Sequence, residues 1–262
     1  MSFGETLNAF FDNIFVITLS RSKDRHEEIA RELSKYNIKY SFIEGVDGWK
    51  LDLNSIGTDV LDKEKNLEVT RMPIAPGELG CSLSVLKVCK KIVKENLQRV
   101  LILQDDIRVI SENIKHTESL LSAVTFPWDL LYLGHTNMFM EMPIGIKLRM
   151  LTIYPLRYLL NRKKHKKPSE IRNTFRRPYN KNWFIAGEHH GGYAYGVSFE
   201  GAKILIDAFS PVFAPDDLTF RYYIKKGKMK AFSPKHFLFD QRSDLQSVVG
   251  DRPSWKVDWS KS

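Results

Sequence analysis

The segment VLILQDDIRV at residues 100–109 places four consecutive apolar residues directly before two aspartates. An uninterrupted run of Val, Leu and Ile is typical of a strand that is buried on both faces of a sheet. Asp105 and Asp106 cannot be buried with that strand, because an unpaired carboxylate in an apolar interior is strongly destabilising. The aspartates therefore mark the exit of the strand, where they form either a turn or a cation site.

Strand and helix patterns alternate on the N-terminal side of this segment. The patterns predict a strand at residues 13–19, a helix after an N-cap at Ser22, a second strand at 40–43 and an amphipathic helix from residue 76. We expect the fold to begin at about Asn13. This order predicts an α/β protein with a βαβ opening and a Rossmann-like, mostly parallel sheet flanked by helices.

Further elements are predicted downstream of the aspartates. A strand pattern covers residues 128–134, and another strand is followed by a helix from about Phe199. Asp216 and Asp217 stand immediately before a helix pattern, where one of them is a candidate N-cap. Residues 49–72 are polar and show little periodicity, so they predict no regular element.

Basic and acidic residues follow two strands that we expect to be neighbours. SRSKDR at residues 20–25 follows the first strand, and the two aspartates follow the strand at 100–103. Ligands of open α/β sheets bind beyond the carboxyl ends of the strands, so both groups are expected to face one ligand. A nucleotide diphosphate with a divalent cation fits a basic loop beside two carboxylates. This favours the cation site over the turn.

The positive charge of the chain is concentrated in one segment. Residues 141–181 hold twelve Lys and Arg against two Glu, a net charge of +10, whereas the other residues include 28 basic and 29 acidic ones, a net charge of −1. We interpret residues 1–262 as a single domain with a basic insert at about 141–181. Its mixture of apolar and basic residues is typical of a surface that binds anionic lipid. The alternatives are an insert that packs on the main domain and, less favoured for lack of a binding module, a nucleic-acid patch.

Nothing in the sequence predicts secretion or a membrane span. The N-terminal residues lack a basic leader, and no apolar run reaches the roughly 18 residues that a span requires. Cys81 and Cys89 are too few for a disulfide framework and lack the spacing of a zinc site. We expect a cytoplasmic protein, with peripheral membrane attachment as an open alternative.

Four motifs occur in the order in which a known family has them. They are VITLSRSKDR at residues 16–25, GELGCSLS at 77–84, LQDD at 103–106 and AYGVSFEGA at 194–202. Together they resemble glycosyltransferase family 25, which includes galactosyltransferases of lipopolysaccharide biosynthesis and the procollagen galactosyltransferases. The sequence departs from the family pattern at Val85, where His is frequent, and at Gln104, where Glu is usual.

The resemblance implies a GT-A-type fold, a UDP-sugar donor and a divalent cation, Mn²⁺ or Mg²⁺. The implied cation ligands are Asp106, Asp105, Gln104 and His236. The implied donor-binding residues are Thr18, Arg21, Arg25, Asp47 and Ser84. The residues implied for proton transfer are Asp216 and Asp217, with Asp216 preferred, and those implied for acceptor binding are His189, His190 and Tyr195.

Two functions are consistent with these residues. The first is metal-dependent, inverting transfer of galactose or glucose from a UDP-sugar to a saccharide or hydroxylated acceptor. The second is a catalytically inactive binding protein of the same fold, attached to a membrane or polyanion by its basic insert, because Gln104 removes one negative charge from the cation site. Several residues also have purely structural interpretations: Asp47 as a turn residue, Arg25 as a solvated helix residue, and His236, His189 and His190 as loop residues.

Overall fold

The computed structural model describes residues 1–136, 144–162 and 167–242. The helices in these ranges are α1 Phe3–Phe10, α2 Lys23–Lys35, α3 Lys63–Thr70, α4 Pro76–Lys94, α5 Thr117–Ser122, α6 Ile144–Leu160, α7 Pro168–Thr174, α8 Phe199–Ala208 and α9 Asp216–Lys225. The strands are β1 Asn13–Thr18, β2 Ser41–Glu44, β3 Arg99–Gln104, β4 Ile107–Val109, β5 Leu130–Thr136, β6 Arg177–Pro178, β7 Trp183–Ile185, β8 His190–Ser198, β9 Ala231–Pro234 and β10 Phe239–Gln241.

Within the described residues, eight strands form one sheet in the order β2-β1-β3-β8-β5-β9-β7-β6. Strands β2, β1, β3, β5, β9 and β6 run in one direction, whereas β8 and β7 run in the opposite direction. Strands β4 and β10 form a separate antiparallel pair. The predicted α/β class with a mostly parallel sheet is confirmed, and the antiparallel β8 at the centre of the sheet is a feature that the sequence patterns do not predict.

The burial of β3 explains its continuous apolar sequence. Val100 and Ile102 pack into a core with residues of α4 and α8 on one face of the sheet. Leu101 and Leu103 pack into a second core with residues of α1 and α2 on the other face. Because helices cover both faces, a polar residue is first accommodated at the carboxyl end of this strand.

The carboxyl ends of β1, β2 and β3 are aligned at one edge of the sheet. Ile17 of β1 pairs in parallel register with Ile43 of β2 on one side and with Gln104 of β3 on the other. The residues that follow these three strands therefore emerge at the same level. This confirms the predicted βαβ opening and brings the basic loop after β1 next to Asp105 and Asp106.

The fold begins before Asn13, so that expectation is wrong. Ser2 and Glu5 form a reciprocal N-cap: the backbone N–H of Glu5 donates to Ser2 Oγ, and the backbone N–H of Ser2 donates to Glu5 Oε2. Helix α1 then buries Phe3 and Leu7 in the core. Glu5 interrupts the apolar pattern because it serves the cap, and for that reason the pattern does not reveal the helix.

Two other helix starts differ from the expectations. Helix α3 lies within the poorly periodic residues 49–72 and begins after Asp62, whose side chain accepts a hydrogen bond from the backbone of Lys65. Helix α9 begins at Asp216, and Pro215 occupies its N-cap position. Neither of the paired aspartates is therefore an N-cap, and both lie in the first turn of the helix.

Part of the segment 141–181 packs against the rest of the protein. Helix α7 buries Ile171 and Thr174, and β6 pairs with β7 at the edge of the sheet. Helix α6 is exposed along most of its length and contacts α7. None of the helices in the described ranges is long and apolar enough to cross a membrane. Residues 163–166 of the basic cluster lie outside the described residues. The interpretation of 141–181 as an insert in a single domain stays a prediction.

Candidate active site

The ends of β1 and β3, the loop after β2 and the first half of α4 surround a cleft, here called the strand-end cleft. Its volume is about 780 Å³, a figure that includes space open to solvent. Ten of the fourteen site residues predicted from the sequence line it: Thr18, Arg21, Arg25, Asp47, Ser84, Gln104, Asp105, Asp106, Tyr195 and Asp216. The structure thus brings all five predicted donor-binding residues and three of the four predicted cation ligands to one place.

Asp105 is fixed by two side chains from neighbouring elements. Thr18 Oγ1 donates a hydrogen bond to Asp105 Oδ2 at 2.9 Å, and Arg25 Nη1 donates to Asp105 Oδ1 at 3.0 Å. Asp105 and Arg25 are each 8% exposed. Arg25 is therefore a buried partner of the acidic pair and not a solvated helix residue. Because both oxygens of Asp105 already accept hydrogen bonds, this carboxylate mainly holds Arg25 against the end of β1.

Asp106 is the carboxylate with an unsatisfied oxygen. Its Oδ2 accepts a hydrogen bond from Gln241 Nε2 at 3.0 Å and lies 3.7 Å from Arg25 Nη1. Its Oδ1 is buried and has no hydrogen-bond partner among the described residues. Burial raises the pKa of Asp106, against the opposing hydrogen bond from Gln241. A buried oxygen of this kind, in a polar cleft, requires a contact from water or from a bound ion.

The residues at this edge fit a divalent cation that takes some of its ligands from a substrate. In the part of the chain that the structure describes, no three His, Cys, Asp or Glu side chains are placed to hold a metal by themselves. Mg²⁺ commonly binds through one or two carboxylates, while substrate phosphates and water supply the other oxygens. Asp106 Oδ1 meets that requirement. Gln104 donates its amide to the Gly192 carbonyl at 3.4 Å, so its own side-chain oxygen remains available to a ligand.

Arg21 and Asp47 join the basic loop after β1 to the loop after β2. Arg21 Nε lies 2.9 Å from Asp47 Oδ2, and the Arg21 side chain is 45% exposed. Asp47 Oδ1 also accepts a hydrogen bond from the backbone N–H of Trp49 at 3.3 Å, which caps a short 3₁₀ turn. Asp47 is therefore a turn residue that also lines the cleft, and Arg21 keeps an exposed positive charge beside it.

Ser84 and two glycines hold the loop after β2 against α4. Ser84 Oγ accepts a hydrogen bond from the Val46 N–H at 2.8 Å and donates to the Gly80 carbonyl at 2.7 Å. A Cβ on Gly48 would lie 1.7 Å from the Pro76 carbonyl oxygen, and one on Gly80 would lie 2.5 Å from the Val46 oxygen. The glycines of the GVDG and GELG sequences are therefore required by close backbone packing, and Ser84 positions the wall of the cleft.

Asp216 contributes a second type of carboxylate to the cleft. It lines the cleft from the first turn of α9. Burial, followed by the charge of Asp217, raises the pKa of Asp216 to about 7. A carboxylate with this pKa accepts a proton near neutral pH much more readily than an ordinary aspartate does. A raised pKa at a carboxylate that lines the cleft is a property that general-base catalysis requires.

Asp217 and His190 lie outside the lining of the cleft and form a network beside it. Asp217 Oδ2 accepts a hydrogen bond from the Gly191 N–H at 3.2 Å and lies 4.0 Å from His190 Nδ1. Gly191 has a φ of +62°, a conformation that favours glycine. His190 Nδ1 is 3.1 Å from Arg221 Nη1. This network fixes the backbone at the start of β8.

His189 and Tyr195 are mainly core residues. His189 is 3% exposed, stacks on His135 with ring centroids 3.9 Å apart, and accepts a hydrogen bond from the Gly187 N–H at 3.2 Å. Burial lowers the pKa of His189 to about 2, so the ring is neutral at physiological pH. Tyr195 is 1% exposed and packs edge-on against Phe220 while lining the cleft. The structure does not bring His189 to the cleft.

The structure does not bring His236 to the cleft either. It is half-buried and stacks on His116 with ring centroids 4.2 Å apart. Burial lowers the pKa of His236. His236 follows β9, which is separated from β3 by β8 and β5 in the sheet. Three inter-strand spacings amount to roughly 14 Å, and this displacement explains why a late histidine in sequence does not meet Asp106.

Other side chains line the cleft to which the sequence analysis assigns no role in a site, among them Trp49, Cys81, Val85 and Gln241. Trp49 directly follows GVDG, Cys81 lies within GELGCSLS, and Val85 directly follows it. Proximity to these motifs could therefore have indicated the three residues. Gln241 has no such signal, because it lies 135 residues from Asp106 in sequence and reaches it through the pairing of β10 with β4.

Comparison with known proteins identifies relatives that match from about half to nearly all of the chain. The sequence profile described as "Glycosyltransferase family 25 (LPS biosynthesis protein)" matches residues 11–220. Procollagen galactosyltransferase 2 of Homo sapiens is 25% identical over 281 residues, which cover 96% of this chain and 40% of that protein. Inactive glycosyltransferase 25 family member 3 of Homo sapiens is 35% identical over 130 residues, 47% of this chain and 22% of that protein. The chain thus spans less than half the length of these relatives.

Among solved structures, a glycosyltransferase involved in the glycosylation of the major capsid of PBCV-1 aligns with a TM-score of 0.41 and 12% identity, covering 89% of this chain and 93% of that one. The sheet and its flanking helices agree with the GT-A-type fold that the sequence motifs imply. The profile match includes the ends of β1 and β3 and extends to Asp216. This chain belongs to glycosyltransferase family 25.

Proposed function

We propose that this protein is a metal-dependent, inverting glycosyltransferase that moves galactose or glucose from a UDP-sugar to a saccharide or another hydroxylated acceptor. The observation that carries the proposal is the charge arrangement of the strand-end cleft. Asp106 presents a buried oxygen without a partner, Arg25 lies beside it, and Asp216 lines the same cleft. Membership of the family and its galactosyltransferase relatives support the class of reaction.

Two features of the cleft support a nucleoside diphosphate as the donor group. Helix α2 begins at the cleft, and its N-cap residue Ser22 makes no side-chain hydrogen bond to the first turn. The first N–H groups of a helix favour an anion such as a phosphate, and the exposed Arg21 adds a positive charge beside them. Trp49 lines the cleft and is 55% exposed, which offers an aromatic face on which a uracil base could stack.

The proposed reaction assigns tasks to Asp106, Gln104 and Asp216. Asp106 and Gln104 would hold the divalent cation, which when bound neutralises negative charge on the departing diphosphate. The acceptor hydroxyl oxygen attacks the anomeric carbon of the sugar, and the bond from that carbon to the phosphate oxygen breaks, so UDP leaves with the electron pair. Asp216 takes the proton of the acceptor hydroxyl, because its raised pKa suits proton transfer near neutral pH.

The direct test is release of UDP from UDP-galactose or UDP-glucose in the presence of Mn²⁺. The wild-type protein should release UDP slowly by hydrolysis and faster with a suitable acceptor, and Asp106→Asn should abolish the release. Glu200→Gln is the matched control, because Glu200 is an exposed carboxylate on α8 that contacts Lys203. Lipopolysaccharide-type saccharides and hydroxylated procollagen peptides are the two acceptor classes suggested by the names of the family and its relatives.

A specific observation also supports the second candidate, an inactive binding protein. Val85 and Gln104, the two positions that depart from the family motifs, both line the strand-end cleft. One relative that shares 35% identity over about half of this chain is named as inactive. Tight UDP binding with Mn²⁺ but no UDP release from either sugar nucleotide, with any acceptor, would favour this candidate.

A cytoplasmic location is part of the main proposal, and cell fractionation tests it.

A further inference from the structure

Helix α6 concentrates apolar side chains at the surface. Eleven large apolar residues are exposed among those that the structure describes, and seven of them belong to this helix: Leu148, Leu151, Ile153, Tyr154, Leu156, Leu159 and Leu160. The exposed fraction reaches 66% at Leu159 and 86% at Leu160. Single exposed apolar residues are common on proteins, but a contiguous group marks a binding surface.

Four of the seven exposed apolar residues of α6 share one side of the helix. At 3.6 residues per turn, Leu148, Leu151, Leu156 and Leu159 fall within an arc of roughly 140°. Among the described residues, the main contact of α6 is with α7, and the four leucines of this arc are exposed. The helix is too short and insufficiently apolar to cross a membrane. An uncovered apolar arc on such a helix is suited to lie in the plane of an interface.

The charge of the region selects the partner. Arg149, Arg157, Arg162 and Lys167 are all exposed on α6 or directly after it. The sequence contains no Asp or Glu between Glu141 and Glu170. A protein partner or a second copy of this chain needs an apolar face opposite α6, whereas an anionic bilayer supplies both an apolar layer and negative headgroups.

We propose that α6 docks the protein onto the surface of an anionic lipid bilayer. The leucines of the arc insert at the boundary between headgroups and acyl chains, and the flanking arginines contact lipid phosphates. This surface is separate from the strand-end cleft, and the proposal does not depend on the transfer reaction. It gives an enzyme or binding protein of this fold a fixed position at the membrane.

The test is co-sedimentation of the full chain with vesicles of two compositions: phosphatidylcholine alone, and equal parts of phosphatidylcholine and phosphatidylglycerol. The protein should bind the anionic vesicles and not the neutral ones, and higher salt should weaken the binding because it screens the charges. Equal binding to both vesicles, or binding to neither, would overturn the proposal.

A pair of matched double variants locates the binding. Leu156→Glu with Arg157→Glu changes α6, and Leu67→Glu with Lys203→Glu makes the same change of composition and charge at exposed positions of α3 and α8. The α6 variant should bind anionic vesicles about tenfold or more weakly, and the control within about twofold of wild type. Equal losses in the two variants would assign the binding to net charge and contradict the proposal.

Two further measurements exclude other occupants of the helix. Light scattering reports the oligomeric state: a dimer that the α6 variant abolishes, without any vesicle binding, would assign the surface to a second copy of the chain. Thermal unfolding reports internal packing: a large fall in the Tm of the α6 variant would show that another part of the chain covers the helix. Either result would overturn the proposal.

Discussion

The strand-end cleft and helix α6 use charged and apolar residues in opposite ways. In the cleft, Arg25 and Asp105 are buried and held at 3.0 Å from each other. On α6, Leu156 and Arg157 are exposed. Among the described elements, the main contact of this helix is α7. The comparison separates two ways of making a functional surface: one fixes charges before the ligand arrives, and the other leaves apolar side chains uncovered.

The difference follows from how each region is covered. Helices on both faces of the sheet bury β3 up to Gln104, so the charges at its end must be paired to be tolerated there. Within the ranges that the structure describes, no comparable layer lies over α6, and most of its side chains are exposed. Substitutions in the cleft should therefore change both stability and activity, whereas substitutions on α6 should change neither and affect only attachment.

The largest expected effect comes from Asp216→Asn. If Asp216 is the general base, its neutral amide cannot take the acceptor proton, and the rate of transfer should fall by about 100- to 10,000-fold while UDP binding is kept. The wild-type rate should rise with pH and level off above about pH 7, because the base acts only when it is ionised. Kinetics across pH measure both effects. Asp217→Asn is the control, and a larger loss in that variant would reverse the assignment.

The stability of Asp216→Asn distinguishes lost chemistry from lost folding. The pKa of Asp216 in the folded protein, about 7, is above its ordinary value of 3.8. Burial of the ionised form therefore destabilises the folded state as pH rises from about 4 towards 7, and the asparagine variant escapes this cost. Its Tm relative to wild type should be higher at pH 8 than at pH 4. An inactive variant with a lower Tm at pH 8 would indicate misfolding instead.

The next effect is on the stability of the buried ion pair. Arg25→Ala leaves Asp105 buried without its cation, so the free energy of unfolding should fall by about 3–5 kcal/mol. Arg21→Ala removes a partly exposed pair with Asp47 and should cost less than about 1 kcal/mol. Urea unfolding measures both. Equal losses of unfolding free energy in the two variants would mean that charges in the cleft are held no more rigidly than charges at the surface. That result would contradict the contrast between the two regions.

A smaller effect is expected at Gln104. Gln104→Glu restores the residue that is usual in the family and adds a negative charge beside Asp105 and Asp106. Manganese should bind about tenfold more tightly in the presence of UDP, because cation affinity rises with the number of charged oxygen ligands. Calorimetric titration measures the change. Gln98→Glu, at a position outside the cleft, is the control and should leave the affinity unchanged.

The smallest effect is expected on α6. Leu156→Glu should change the free energy of unfolding by no more than about 0.5 kcal/mol, and should leave UDP release unchanged, because the side chain is 61% exposed. The same substitution in a buried position such as Leu101 should prevent folding. A cost of several kcal/mol at Leu156 would show that α6 is covered in solution, and would remove the contrast between the two regions.

The sequence predicts the part of this molecule that depends on local pattern. The apolar run of β3 and the aspartates after it define a strand end, and the parallel order of β1 and β3 brings Arg25 to the same edge. These are short-range features of period and composition. They are sufficient for the parallel strands β1, β2 and β3, for several helices and for one wall of the cleft.

The residues that the patterns miss depend on tertiary structure. Gln241 reaches Asp106 only because β10 pairs with β4, and His189 is a core residue only because β8 runs through the centre of the sheet. His236 is placed by the position of β9, which no local pattern reports. Helix α1 is missed for a local reason, because Glu5 caps the helix and interrupts its apolar spacing.

The central claim is that a divalent cation at Asp106 holds a sugar nucleotide through its diphosphate. Isothermal titration of UDP into the protein, with and without Mn²⁺, tests it most directly when wild type is compared with Asp106→Asn. We expect UDP binding that requires Mn²⁺ and is weakened at least about tenfold in the variant. Binding of equal strength in both proteins, or binding indifferent to Mn²⁺, would contradict it.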